Sequence, residues 1–129
     1  MQAMLLRDAI VDSGASYTYV PSGVELQNER AGIGAVSVAD GRVEPVSAIG
    51  DIGVLRGVRR VDSFTRTLVS VRDLVEQFGT VSFTQRGVFI RRRGKNSRIG
   101  RPLPNRLYSF NLSALNESIG GEGRMAIAA

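Results

Sequence analysis

A mainly β fold with one short helix towards the C-terminal end is what this sequence predicts, in the form of a small barrel or sandwich. Three observations lead there. Short Val- and Ile-rich segments alternate with glycines through the first half, an Asp-Gly pair sits between two strand-like flanks, and only one stretch has helical periodicity. The 129 residues, 43% hydrophobic and 22% charged, have the balance of one globular domain.

The strand candidates run in order through "DAIV", "YTYV", "AVSV", "RVEPVSAI", "DIGVLRGVRRV" and "TLVSV". In "AVSVADGRVEPVSAIG", Asp40-Gly41 offers the residues a tight primed turn needs, with Val36, Val38 and Val43 as flanks. Pro45 cannot donate to a ladder, so this hairpin is expected at an edge or projecting into solvent. "SVRDLVEQFG" is the helix: Val71, Leu74, Val75 and Phe78 form an apolar stripe, Ser70 is the N-cap with Asp73 completing a capping-box-like pair, and Gly79 ends it. "TVSF" and "GVFIRRR" predict two strands around a turn at Gln85 to Gly87. "RLYSFNL" is a further strand candidate, and residues 117–129 are expected to be a disordered tail.

Composition removes whole classes of chemistry. With no cysteine and no histidine there is no disulfide, no thiolate zinc site and no imidazole base, so any hydrolysis must use carboxylates, lysine or a borrowed group. No metal or organic cofactor is implied. The opening "MQAMLL" is too short for a signal core or a membrane span, which predicts a soluble, cytoplasmic protein.

The net charge of +5 is unevenly placed. Residues 91–106, "RRRGKNSRIGRPLPNR", hold seven basic side chains and no acid, and the rest of the chain is slightly acidic. Such a cluster attracts polyanions, and Arg91, Arg92, Arg93 and Lys95 are candidate nucleic-acid contacts. It also suits a solvated segment that keeps an edge strand from pairing with strangers.

"AIVDSGASYTYV" contains the candidate chemistry. Ile10 and Val11 form a strand that delivers Asp12 to its end. Ser13 has a hydroxyl to pin the loop, while Gly14 and Ala15 leave room for substrate backbone and free N–H groups for a carboxylate. Asp-Ser-Gly is equally a common turn sequence. Two carboxylates within hydrogen-bonding distance cannot both ionise and so share one proton, the arrangement that lets one activate water as the other protonates a carbonyl oxygen. No second "DSG" or "DTG" occurs in the chain, so a partner carboxylate would have to come from another copy.

Taken in order, "IVDSGAS", "ADG", "TLVSVRDLVEQFGTVSF", "GVFI" and "LYSF" resemble the protease region of copia-type retrotransposon polyproteins, with its "LDSGAS" loop, "LADG" hairpin, "NLLSVSQL" helix start, "VTF" strand and later "LYVL". The likeness covers residues 8 to 112 and extends more remotely to retroviral proteases.

It implies a homodimeric, retropepsin-like closed β-barrel with a flap hairpin, acting as an aspartic endopeptidase on its own polyprotein in the cytoplasm, within virus-like particles. Asp12 is then the catalytic residue and Ser13, Gly14 and Ala15 support the loop. Gly14, Ser16, Val38, Ala39, Asp40 and Gly41 are the substrate-binding residues, engaging extended peptide segments. Leu68, Val69 and Ser70 occupy the place of the hydrophobic-hydrophobic-Gly element that packs beneath the active loop, with serine for glycine. Ser16 stands where retroviral proteases have an acid, no arginine stands a comparable distance before Asp12, and "VRRVDSFTRT" departs from the copia pattern.

On this reading residues 1–90 are the protease core. Residues 91–116 are a basic extension, either an added β-hairpin or a processing linker. The other reading is a catalytically silent basic β-domain that binds nucleic acid or assists particle assembly.

Overall fold

A computed structural model describes residues 8–128, with side chains to residue 120. The apolar opening of the chain lies outside the described residues. The fold is mainly β, with twelve strands and two helices among the described residues.

Seven strands form one mixed sheet in the order β12-β1-β8-β2-β7-β6-β3. In chain order they are β1 (Ile10–Asp12), β2 (Tyr19–Val20), β3 (Gln27–Ala31), β6 (Ala48–Ile52), β7 (Leu55–Arg60), β8 (Leu68–Ser70) and β12 (Tyr108–Ser109). β1 is parallel to β8, with Asp12 opposite Ser70, and β2 is parallel to β7; the other ladders are antiparallel. The ladder ends at β12 and β3 and does not close among the described residues, where a closed barrel was expected. Among the described residues β4 (Ala35–Ser37) and β5 (Val43–Pro45) pair only with each other, as Pro45 predicts.

The Asp40-Gly41 hairpin differs from the expected two-residue primed turn. Only Gly41 has positive φ, at 88°, while Val38 N–H donates to the Arg42 carbonyl and Gly41 N–H to that of Val38. This is the three-residue loop in which a tight turn is followed by a left-handed residue. The third sheet, β11-β10-β9, comprises β9 (Thr80–Thr84), β10 (Gly87–Arg92) and β11 (Lys95–Gly100). Gly87 is required where β10 meets β11, since a Cβ there would lie 2.1 Å from the Gly100 carbonyl oxygen.

Helix α1 (Val71–Phe78) starts where Ser70 Oγ accepts the Asp73 N–H at 3.1 Å, and stops at Gly79, whose N–H donates to the Val75 carbonyl. Leu74 and Phe78 are buried and Val71 packs against the core, but Val75 is 48% exposed. The buried face is turned from the expected stripe: Asp73, whose carboxylate accepts the Thr18 N–H, is buried and Val75 is not.

The tail is where expectation and structure part most. α2 (Leu112–Ala128) begins inside the segment read as a strand and runs through what was expected to be disordered. Asn111 Oδ1 caps it by accepting the Ala114 N–H at 3.0 Å, Leu115 is fully buried, and Leu112 and Ile119 pack on the core.

One hydrophobic cluster joins Val11, Val58 and Val69 to Val88, Ile90, Ile99, Phe110 and Leu115. Residues 91–116 therefore share the core of residues before them, and β10 runs across the expected boundary at 90. Asn116 Oδ1 also accepts the Val54 N–H at 3.0 Å, tying α2 to the β6–β7 turn. Replacing Asn116 with Ala is expected to cost about 1 kcal/mol in urea unfolding. An unchanged midpoint would mean that α2 is not docked in solution.

Candidate active site

Parallel pairing of β1 with β8 brings the Asp12 loop over the start of α1. Val11 enters the core, and the next residue, Asp12, is half-buried at the strand end. Its Oδ1 accepts the Gly14 N–H at 2.8 Å, which turns the carboxylate back over its own loop. A Cβ on Gly14 would lie 3.3 Å from that same oxygen, a tight contact that glycine avoids.

Three residues hold the loop from below: Ser70, which belongs to the element expected there, together with Thr18 and Asp73, which the sequence does not point to in this role. Ser70 Oγ donates to the Ala15 carbonyl at 2.9 Å and accepts the Asp73 N–H. Ser70 N–H donates to Thr18 Oγ1 at 3.1 Å, and the buried Asp73 carboxylate accepts the Thr18 N–H at 2.8 Å. Asp73 thus reaches to the neighbouring loop and not back to the cap backbone as a capping box would. Burial pushes its carboxyl group above the usual range, opposed by the hydrogen bonds from Thr18. The Ser13 side chain, expected to pin the loop, is exposed and makes no hydrogen bond among the described residues.

Above the loop stands the β4–β5 hairpin. Between them lies a cleft of about 600 Å³, lined on one side by Asp12, Gly14, Ala15 and Ser16 and on the other by Ala35 to Ala39. Tyr17, Tyr19, Phe64 and Leu68 make its apolar wall. Tyr19 and Phe64 meet edge to face at 5.6 Å, and the Arg59 guanidinium lies 3.6 Å over the Tyr17 ring.

The structure therefore gathers Asp12, Gly14, Ala15, Ser16, Val38 and Ala39 around one space. Asp40 and Gly41, expected to bind substrate, form the hairpin tip outside the cleft lining. There the Arg42 backbone N–H and guanidinium both donate to Asp40 and hold its carboxyl below the usual range. Ala35, Val36 and Ser37 contribute lining in their place. The expected element beneath the loop, Leu68 to Ser70, is β8, and Ser70 is fully buried under Ala15.

No family model, no curated protein and no solved structure matches this chain.

Proposed function

We propose that this chain is a retropepsin-like aspartic endopeptidase of the copia retrotransposon type, working as a homodimer in which each copy contributes one Asp12 carboxylate. The observation that carries this reading is the setting of Asp12. It sits at a strand end, among small residues, in a cleft of about 600 Å³ roofed by a hairpin.

In the dimer the two carboxylates share one proton. The ionised one removes a proton from water as its oxygen attacks the scissile carbonyl, and the protonated one donates to the carbonyl oxygen. Collapse of the tetrahedral diol breaks the C–N bond as a proton passes to the leaving nitrogen. The Gly14 N–H engages Asp12 Oδ1, leaving Oδ2 for water or the partner carboxylate. The hairpin closes over the substrate and excludes bulk solvent, leaving the one water held by the two carboxylates.

Two features favour a second copy. The chain has one Asp-Ser-Gly loop, and the hairpin region exposes apolar side chains that a partner would cover, Ile33 at 80% and Val43 at 64%. The substrate is the parent polyprotein, cut in the cytoplasm within assembling particles. No helix among the described residues is long and apolar enough to cross a membrane.

The test is digestion of a peptide library at acidic to near-neutral pH, with and without a statine-type transition-state analogue. Cleavage blocked by the analogue is expected. Cleavage insensitive to it, or none from a demonstrably dimeric protein, would contradict the assignment.

A further inference from the structure

Between Glu76 and Glu117 the sequence contains no acidic residue, yet residues 80–111 include eight arginines and lysines. The register of the β11-β10-β9 sheet decides where these charges point. Val88 and Ile90 face the core, so Phe89 and Arg91 point the other way. Phe89 lies opposite Ser82 on one side and Arg98 on the other, and Arg91 lies opposite Thr80 and Asn96. Ser97 and Ile99 turn inward, where Ser97 meets Ser118 of α2. One face of the sheet is thus the core lining, and the other is polar and basic with an aromatic ring near its middle.

That outer face has a built depression of about 580 Å³. Phe89 lines it together with Ser82, Thr84, Gln85, Arg86 and Asn96. Arg86, Arg91 and Arg98 are exposed and, among the described residues, none has an ion-pair partner. Among the described residues no carboxylate neutralises them, in contrast to Arg42, Arg60 and Arg72, which all pair with carboxylates.

We infer that the outer face of the β9–β11 sheet binds single-stranded nucleic acid, with phosphates on Arg86, Arg91 and Arg98 and a base stacked on Phe89. The charge favours a polyanion, and a half-exposed aromatic ring among amide and hydroxyl groups favours an unpaired base over a duplex or an acidic peptide. The sequence alone points to Arg91, Arg92, Arg93 and Lys95. The strand register places Arg92, with Lys95 opposite it, on the inward-facing side, and brings Arg86 and Arg98 into the set. The face shares no lining residue with the Asp12 cleft, so the inference stands apart from the proteolytic reading.

The experiment is fluorescence anisotropy of the full chain with labelled oligo(dT) and oligo(U) of about 20 nucleotides, between about 50 and about 200 mM salt. Binding that weakens with salt is expected. The R86A/R91A/R98A variant should lose at least about tenfold in affinity and flatten the log–log salt slope by about 2, at roughly 0.7 per lost phosphate contact. Phe89→Leu keeps an apolar side chain for packing but removes the π face, and should lose about fivefold or more with the slope unchanged. An R30A/R66A variant, lowering charge elsewhere, should bind within about twofold of wild type. The inference is overturned if the wild-type chain shows no salt-dependent binding, if the first two variants bind like wild type, or if R30A/R66A weakens binding as much. Tighter binding of duplex, or equal competition by polyglutamate, overturns it as well.

Discussion

Asp12→Asn is expected to lower peptide cleavage by a factor of about 10⁴ while leaving the fold intact. The amide oxygen can still accept the Gly14 N–H that now holds Oδ1, so the loop has no reason to move. What disappears is the ability to take a proton from water and to share one with the partner. Loss of rate with unchanged thermal unfolding and unchanged dimerisation is the signature of a chemical role. A variant that keeps cleavage within about tenfold of wild type would remove Asp12 from the chemistry.

The second large effect is expected beneath the loop. Asp73→Ala leaves the buried Thr18 N–H without its acceptor, at a cost of about 1–3 kcal/mol in stability. The Asp12 loop then loses a clamp, and displacement of the carboxylate by about 1 Å is enough to lower kcat up to about 100-fold. Asp73→Asn keeps an oxygen facing Thr18 and should restore most of that rate, which a purely destabilising change would not do.

The same pair of variants carries a pH dependence. Burial raises the Asp73 carboxyl group above its ordinary value of 3.8, so the folded state holds this proton more tightly than the unfolded one. Its contribution to stability is fully present below that ordinary value and is lost as pH rises through the raised folded value. Subtracting the Asp73→Asn unfolding curve from the wild-type one isolates this group from the other carboxylates. The wild type should lose stability relative to Asn from about pH 4 upward. A difference that stays flat, or grows in the opposite direction, would show that the hydrogen bonds from Thr18 outweigh burial.

How much of this was legible in the sequence follows from the range of the interactions. α1 and the β4–β5 and β9–β10 hairpins are specified within a few residues by caps, periodicity and turn glycines, and they stand where the pattern puts them. β3 is not readable, because "QNERA" is an edge strand with every residue exposed and has no apolar alternation to show. Its place is set by pairing with β6 and by Arg60, which makes two hydrogen bonds to Glu29.

α2 was hidden by its glycines. Leu112, Leu115 and Ile119 keep a helical spacing and Asn111 is a proper cap, yet Gly120 and Gly121 favour reading a loose tail. Burial of Leu115 against the core outweighs the low propensity.

At the candidate site, the loop residues were legible because Asp-Ser-Gly-Ala is local. The resemblance puts Ser70 beneath the loop, but the bonds through which Thr18, Ser70 and Asp73 hold it were not legible, because they join positions 52 to 55 residues apart. Asp73 in particular reads as a cap residue until the fold brings the Thr18 backbone against it.

The central claim is that the second carboxylate comes from another copy of the chain. Mixing equal amounts of wild-type and Asp12→Asn chains, with time for subunits to exchange, measures this directly. If every active unit needs Asp12 from both copies, activity per total protein falls to about one quarter of wild type, the fraction of pairs with two intact chains. A value of about one half would mean that each chain works alone, and would contradict the account.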